Sequence, residues 1–294
     1  MPVLFVSEDE CRAPGAEIAS RLGAALGDRP ARAPVTLLVH GFRYDAADKT
    51  RDPRRLIYQT GPDAGRQRGR TISWTRPLGL SGADSGLAIG FCWRATGTIW
   101  TAYDRAAAAG AALARAISVL HGAAPDRAIN IFAHSLGARV ALRALAHLPP
   151  GAVDRMILMS AAEFRSRAER ALTVAAGAPE VLNVTGRENA LFDLLLRAAF
   201  PHLGPTLGTG GPVRAGWADL PMDRDDCTGA LAAMGYRLRP YRARVCHWSG
   251  YLRPGAFALY RDVLEGRVAP STLAWTVDRP PWQMPDPDFQ PAAP

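Results

Sequence analysis

Short apolar runs alternate with segments that repeat apolar residues at helical spacing along most of the chain. Most of these runs are continuous, which is typical of strands buried on both faces of a parallel sheet. They are Val3–Val6, Val35–Val39, Leu87–Trp93, Ile129–Ala133, Met156–Met159, Val181–Val184 and Ala243–Cys246. The helical segments are Ala16–Leu26, Thr101–Leu120, Leu136–Leu148, Ala168–Ala176, Leu191–Ala199 and Ala256–Leu264. This alternation predicts an α/β fold with a mostly parallel central sheet flanked by helices.

The pattern extends over almost the whole chain, so we expect one domain over residues 1–277. Residues 278–294 are rich in proline, which is incompatible with a helix or an inner strand, and they are expected to form a C-terminal tail. Two long stretches, 43–84 and 201–241, fit the alternation less well. Long connections in a compact domain are often substrate loops, and we expect these two to be long loops or a small lid near the site.

The composition and charge of the chain indicate which kinds of binding partner to expect. The 294 residues are 48% hydrophobic and 21% charged, which suits a globular core, and the net charge of +8 comes almost entirely from arginine because Lys49 is the only lysine. No basic stripe interleaved with aromatic residues is present, so no nucleic-acid partner is expected. No membrane span or targeting segment is read, which predicts a cytoplasmic protein. The four cysteines lack C-x-x-C spacing, and no metal site is expected.

The strongest local motif is a strand that runs directly into a helix at Ser135, in Ala133-His134-Ser135-Leu136-Gly137. A serine at such a joint is typical of a nucleophile elbow, where the residues two before and two after must be small. Gly137 meets this requirement, and Ala133 departs from the usual glycine by one methyl group. Serine is also a preferred helix N-cap, so capping is the alternative interpretation.

Two further segments supply chemistry that would complement a serine nucleophile. The strand Val35–Val39 ends in His40-Gly41-Phe42, and His247 precedes the last predicted helix of the domain. An imidazole can take the serine proton and later return it to the leaving group, which predicts His247 as the general base. A packed loop histidine beside Trp248 is the alternative.

These motifs together resemble the α/β-hydrolase superfamily, and the chain is similar to its poorly characterised bacterial serine-hydrolase members over about Val35 to Leu264. The resemblance implies an oxyanion hole formed by the backbone N–H groups of Phe42 and Leu136. It further implies a Ser–His–acid triad and no cofactor. His40, Gly41, His134 and Gly137 are expected to support the site, with His134 pointing away from the nucleophile.

The acid is expected in a loop after a strand that precedes His247. Glu188, in the turn after Val181–Val184, ranks first, Asp193 second and Glu163 third. Each could instead be a surface or capping carboxylate.

The function expected from this arrangement is hydrolysis of a small-molecule carboxylic ester, lipid-like or a thioester, through an acyl-enzyme. Leu207, Trp217, Trp248 and Tyr251 are expected near the mouth of the site and favour an apolar substrate, although they also suit a core. An acyltransferase using the same site and a non-catalytic binding protein with this fold remain alternatives. The sequence leaves the oligomeric state undetermined.

Overall fold

The computed structural model describes residues 3–13, 16–60, 71–82 and 85–278. Residues 279–294 of the predicted tail, and residues 61–70 and 83–84 of the first long stretch, lie outside the described residues.

Seven parallel strands form the central sheet, in the order β1-β3-β2-β4-β5-β6-β7. The strands are β1 Val3–Ser7, β2 Val35–Val39, β3 Leu87–Cys92, β4 Ile129–His134, β5 Arg155–Met159, β6 Glu180–Thr185 and β7 Trp217–Pro221. The principal helices are α1 Glu8–Arg12, α2 Ala16–Gly27, α3 Pro53–Leu56, α4 Ile99–Ala123, α5 Leu136–Leu145, α6 Arg165–Val174, α7 Ala190–Ala199, α8 Asp225–Ala233, α9 Ser249–Leu252, α10 Ala256–Leu264 and α11 Pro270–Asp278. The predicted fold class, a parallel sheet flanked by helices, is confirmed.

The seventh strand differs from the prediction. The apolar run Ala243–Cys246 is not a strand in the structure, and Val245 within it is 50% exposed. β7 is formed instead by Trp217–Pro221, which was not predicted as a strand because the charged Asp219 lies at its centre. The Asp219 carboxylate accepts hydrogen bonds from Gly211 N (2.9 Å) and from Trp217 Nε1 (2.9 Å). These bonds satisfy the charged group, and the sheet edge tolerates the proline at the end of the strand.

Each face of the sheet has its own core because side chains alternate along a strand. Leu37 and Val39 of β2 pack with α4 and α5 on one face, while Leu38 faces α10 on the other. The helix α4 is long and apolar enough to cross a membrane by length and composition, but half of that segment is buried in this fold. Its apolar residues therefore serve the packing against the sheet and α5.

The two stretches expected to be loops or a lid contribute to the core. In the described part of the first stretch, Ile57, Tyr58 and Trp74 are fully buried. The second stretch supplies β7 and α8. Leu207, Trp217 and Tyr251 are also buried in the core, so of the four residues expected at the mouth only Trp248 lines the cavity described below.

Candidate active site

Ser135 lies at the junction of β4 and α5, at the carboxyl end of a central strand. Its backbone has φ 57° and ψ −125°, a left-handed conformation that is strained for a residue with a Cβ. Hydrogen bonds from Ser135 N to Met159 O and from Ala162 N to Ser135 O, both 3.0 Å, hold this bend. The hydroxyl makes no capping bond to α5, which contradicts the N-cap interpretation.

The turn requires close approach of neighbouring backbones. A Cβ on Gly41 would lie 2.6 Å from Ser135 Cβ, and one on Gly137 would clash with the Val39 carbonyl oxygen. Both positions therefore need glycine for spacing. Ala133 is fully buried, and its methyl group is accommodated in the core.

The loop after β2 is braced by His40, which is fully buried. Its Nδ1 donates to Gly41 O (3.0 Å), and its Nε2 accepts from Trp93 N (3.2 Å). Burial lowers the pKa of His40 to about 4, so the ring is neutral and both nitrogens are used in this brace.

Phe42, at the end of this loop, and Leu136 both line the same cavity as Ser135. Neither backbone N–H donates to another hydrogen-bonding group among the described residues. They are thus available as the two donors that an oxyanion hole would require.

His247 is in direct contact with the serine. Its Nε2 lies 2.7 Å from Ser135 Oγ, and its ring stacks on Phe192 at a centroid distance of 4.7 Å. Burial, followed by repulsion from His134, lowers the pKa of His247 well below its usual value of 6.5. The imidazole is therefore neutral at pH 7, as a general base must be before the reaction.

Asn189, rather than a carboxylate, is the partner of the other ring nitrogen. Its Oδ1 lies 2.6 Å from His247 Nδ1, and its Nδ2 donates to Asp193 Oδ2 at 2.8 Å. A carboxylate oxygen accepts, so the amide must turn its nitrogen toward Asp193 and its oxygen toward the ring. His247 then carries its proton on Nδ1, and the lone pair on Nε2 faces the Ser135 hydroxyl.

The predicted acids do not contact His247, which corrects the expectation for all three. The turn Arg187–Asn189 directs the Glu188 side chain away from the ring, where it accepts from Arg253 Nη2 at 2.6 Å. Glu163 is bound by Arg139 and Tyr103, each at 2.6 Å. Asp193 reaches the ring only through Asn189.

Asn189 is not among the predicted partners of His247 because an acid is expected at that position. Its position in the turn after β6, immediately after the first-ranked candidate, was the available signal. An amide oxygen can accept from Nδ1–H and select the tautomer, as the asparagine of Cys-His-Asn proteases does.

Two neighbours position this constellation further. The Nε2 of His134 donates to the carbonyl oxygen of His247 at 2.9 Å. Burial lowers the pKa of His134 to about 4, so this contact is made by a neutral ring. Asp193 is 7% exposed, and burial raises the pKa of its carboxyl to about 6, an effect larger than the opposing hydrogen bond from Asn189.

Replacement of Asp193 by asparagine is expected to stabilise the protein at pH 8. Since the pKa of this carboxyl is about 6 in the folded chain against an ordinary 3.8, ionised Asp193 destabilises the fold above pH 6 and has no such effect below 3.8. The difference corresponds to roughly 3 kcal/mol in the free energy of unfolding. Urea unfolding at pH 8 and pH 4 measures it, with the gain present at pH 8 and absent at pH 4.

The exposed carboxylate of Asp104, replaced by asparagine, is the matched control and should change stability equally little at both pH values. Equal stability of wild type and Asp193→Asn at pH 8 would show that the carboxyl is not strained by burial.

A cavity of about 700 Å³ opens beside Ser135 and His247. Its walls are mainly apolar, and they include Phe42, Ile99, Trp100, Leu136, Phe192 and Leu195. Arg43 also lines it and is exposed, with a backbone φ of 75°. Among the described residues no group of three or more His, Cys, Asp or Glu side chains is arranged to hold a metal ion.

The match to a protein-family model agrees with this fold. Residues 18–174, more than half of the chain, match the model of a family described as alpha/beta hydrolase of unknown function (DUF900). Among solved structures, prolyl oligopeptidase B from Galerina marginata, bound to a 35mer hydrolysis and macrocyclization substrate, is similar with 10% identity and a TM-score of 0.31. That match covers 84% of this chain and 33% of the peptidase, so this chain spans about a third of its length. No curated protein matches the chain.

The parallel sheet with a strained serine at the end of a central strand defines the class as α/β-hydrolase. The chain belongs to the DUF900 family of alpha/beta hydrolases. The matched residues contain Gly41, Phe42 and Ser135, whereas Asn189 and His247 lie beyond the match.

Proposed function

We propose that the protein is a serine hydrolase that cleaves a carboxylic ester through an acyl-enzyme, with Ser135 as nucleophile and His247 as general base. One observation carries the proposal: the hydroxyl on the strained bend lies 2.7 Å from a neutral imidazole nitrogen. A serine oxygen becomes a competent nucleophile when such a base can remove its proton during attack.

Ser135 Oγ attacks the ester carbonyl carbon while its proton passes to His247 Nε2. The carbonyl oxygen becomes an oxyanion, which accepts hydrogen bonds from Phe42 N and Leu136 N. The tetrahedral intermediate collapses, the C–O bond to the alcohol breaks, and the alcohol leaves with the proton from Nε2. A water molecule then attacks the acyl-enzyme by the same route and releases the carboxylic acid and Ser135.

Asn189 holds His247 in the tautomer that this sequence of proton transfers needs. An amide carries no net charge, so it orients the ring without stabilising the imidazolium as strongly as a carboxylate would. Above pH 6 the ionised Asp193 polarises the amide and supplies part of that stabilisation from behind. We therefore describe Asn189 and Asp193 as positioning residues.

The cavity walls favour an ester whose acyl part is apolar. The volume of about 700 Å³ lies within the range of sites for small molecules, and the cavity is lined predominantly by apolar side chains. Substrate preference is read from a series of p-nitrophenyl esters of increasing chain length.

A fluorophosphonate probe tests the proposal. Such a probe should label the protein covalently on the peptide that contains Ser135, and p-nitrophenyl esters should give a burst of nitrophenol followed by slower turnover. Labelling on another residue, or no labelling of the folded protein, would contradict the proposal. Added alcohols separate hydrolysis from acyl transfer, since a transferase forms a new ester in proportion to the acceptor.

A further inference from the structure

The solvent-facing side of α7 is apolar, which is the reverse of the usual surface helix. Leu191, Leu194 and Leu195 are 46%, 61% and 57% exposed, and Ala198 is also exposed. The inner side of the same helix carries Phe192 and Asp193 of the active site. We call these four exposed residues, together with Trp100, the α7 face.

The α7 face continues into the catalytic cavity. Leu195, Ala198 and Trp100 are exposed and also line that cavity. Trp100 is 55% exposed, and its indole N–H already donates to Ala199 O at 3.1 Å. The indole ring can therefore be buried among lipid chains without losing a hydrogen bond. The backbone groups of the helix also have their hydrogen-bond partners within the protein. Whatever covers this face also covers the entrance used by the substrate.

Positive charge accompanies the apolar surface. Arg197 projects from the exposed part of α7, and Arg43 is exposed at the wall of the cavity. Neither forms an ion pair with a described residue, whereas Arg187 and Arg253 are paired with Asp223 and Glu188. The net charge of +8 acts in the same direction. An apolar face with unpaired arginines complements a negatively charged lipid surface.

We propose that the α7 face docks on an anionic lipid surface, and that the docked enzyme takes amphiphilic esters from that surface into the catalytic cavity. The docking step is inferred from the surface residues alone, whereas the uptake of esters rests on the proposed function. In the docked state the leucines and Trp100 lie among acyl chains, and the arginines lie at the level of the head groups.

Binding is measured with the Ser135→Ala variant, so that it does not depend on catalysis. The variant is sedimented with vesicles of phosphatidylcholine containing about a third phosphatidylglycerol, and with vesicles of phosphatidylcholine alone. We expect binding to the anionic vesicles that weakens with added salt. Adding Leu191→Gln and Leu194→Gln should lower the partition constant by roughly tenfold for each leucine. Neither leucine lines the catalytic cavity.

Matched substitutions on α6 provide the controls. Val174 is 61% exposed, and Val174→Gln should leave vesicle binding unchanged. Arg197→Gln should weaken binding to anionic vesicles by about fivefold, whereas Arg170→Gln, at an exposed position on α6, should not. Circular dichroism and melting temperature establish that each variant is folded.

Three results would overturn the proposal. The first is no sedimentation with anionic vesicles, and the second is equal vesicle binding of the proteins with and without the two leucine substitutions. The third is a dimer in light scattering that the two leucine substitutions convert to a monomer. The last result would make the α7 face a contact between two copies of the chain. Because Ser135→Ala is inactive by design, a failure of the fluorophosphonate test leaves this measurement valid, and a failure here leaves the esterase proposal intact.

Discussion

Ser135→Ala is expected to lower kcat for an activated carboxylic ester by roughly 10⁴- to 10⁶-fold. The alanine removes the hydroxyl oxygen that lies 2.7 Å from His247 Nε2, so no acyl-enzyme can form. Residual turnover would come from water held near the oxyanion donors. Stopped-flow measurement with p-nitrophenyl esters gives the loss in kcat and shows whether the burst disappears.

The same kinetic measurement shows whether Ser135 and His247 act together in one step or contribute independently to kcat. His247→Ala should cause a loss of similar size, and the Ser135→Ala, His247→Ala double variant should be no slower than the worse single variant, since the two groups act in one step. Ser166→Ala, on the exposed part of α6, is the matched serine control. Additive losses, or wild-type activity of Ser135→Ala, would remove Ser135 from the mechanism.

Asn189→Leu is expected to lower kcat by roughly 10²- to 10³-fold with little change in KM. Leucine is close to asparagine in size but cannot accept from His247 Nδ1, which leaves a buried N–H without a partner and both tautomers accessible. KM should hold because Asn189 does not line the catalytic cavity. Steady-state kinetics on folded protein, with kcat and KM separated, measure the effect.

Glu188→Gln is the discriminating control because it alters the neighbouring residue in the same turn. Glu188 pairs with Arg253 in the interior, so this variant should lose stability while the folded fraction keeps its kcat. The opposite pattern, with Glu188→Gln inactive and Asn189→Leu active, would restore a carboxylate as the partner of His247 and contradict the geometry described here.

The local sequence was sufficient to predict the fold that surrounds the site and the position of Ser135. The fold class and six of the seven strands follow from continuous apolar runs, because a strand covered on both faces must be apolar at every position. The placement of Ser135 at a bend follows from a strand joined to a helix without a loop, with Gly137 two residues beyond. These patterns involve residues that are close together in the sequence, so they can be recognised without knowing how the rest of the chain folds.

Tertiary structure decided the features that depend on distant partners. Trp217–Pro221 forms a strand in which the Asp219 carboxylate is satisfied by Gly211 and Trp217, while the predicted strand Ala243–Cys246 is not part of the sheet. The turn after β6 could have offered Glu188 or Asn189 to His247. Sequence order does not specify which side chain a turn directs inward, since that depends on where Arg253 and Asp193 lie once the chain is packed.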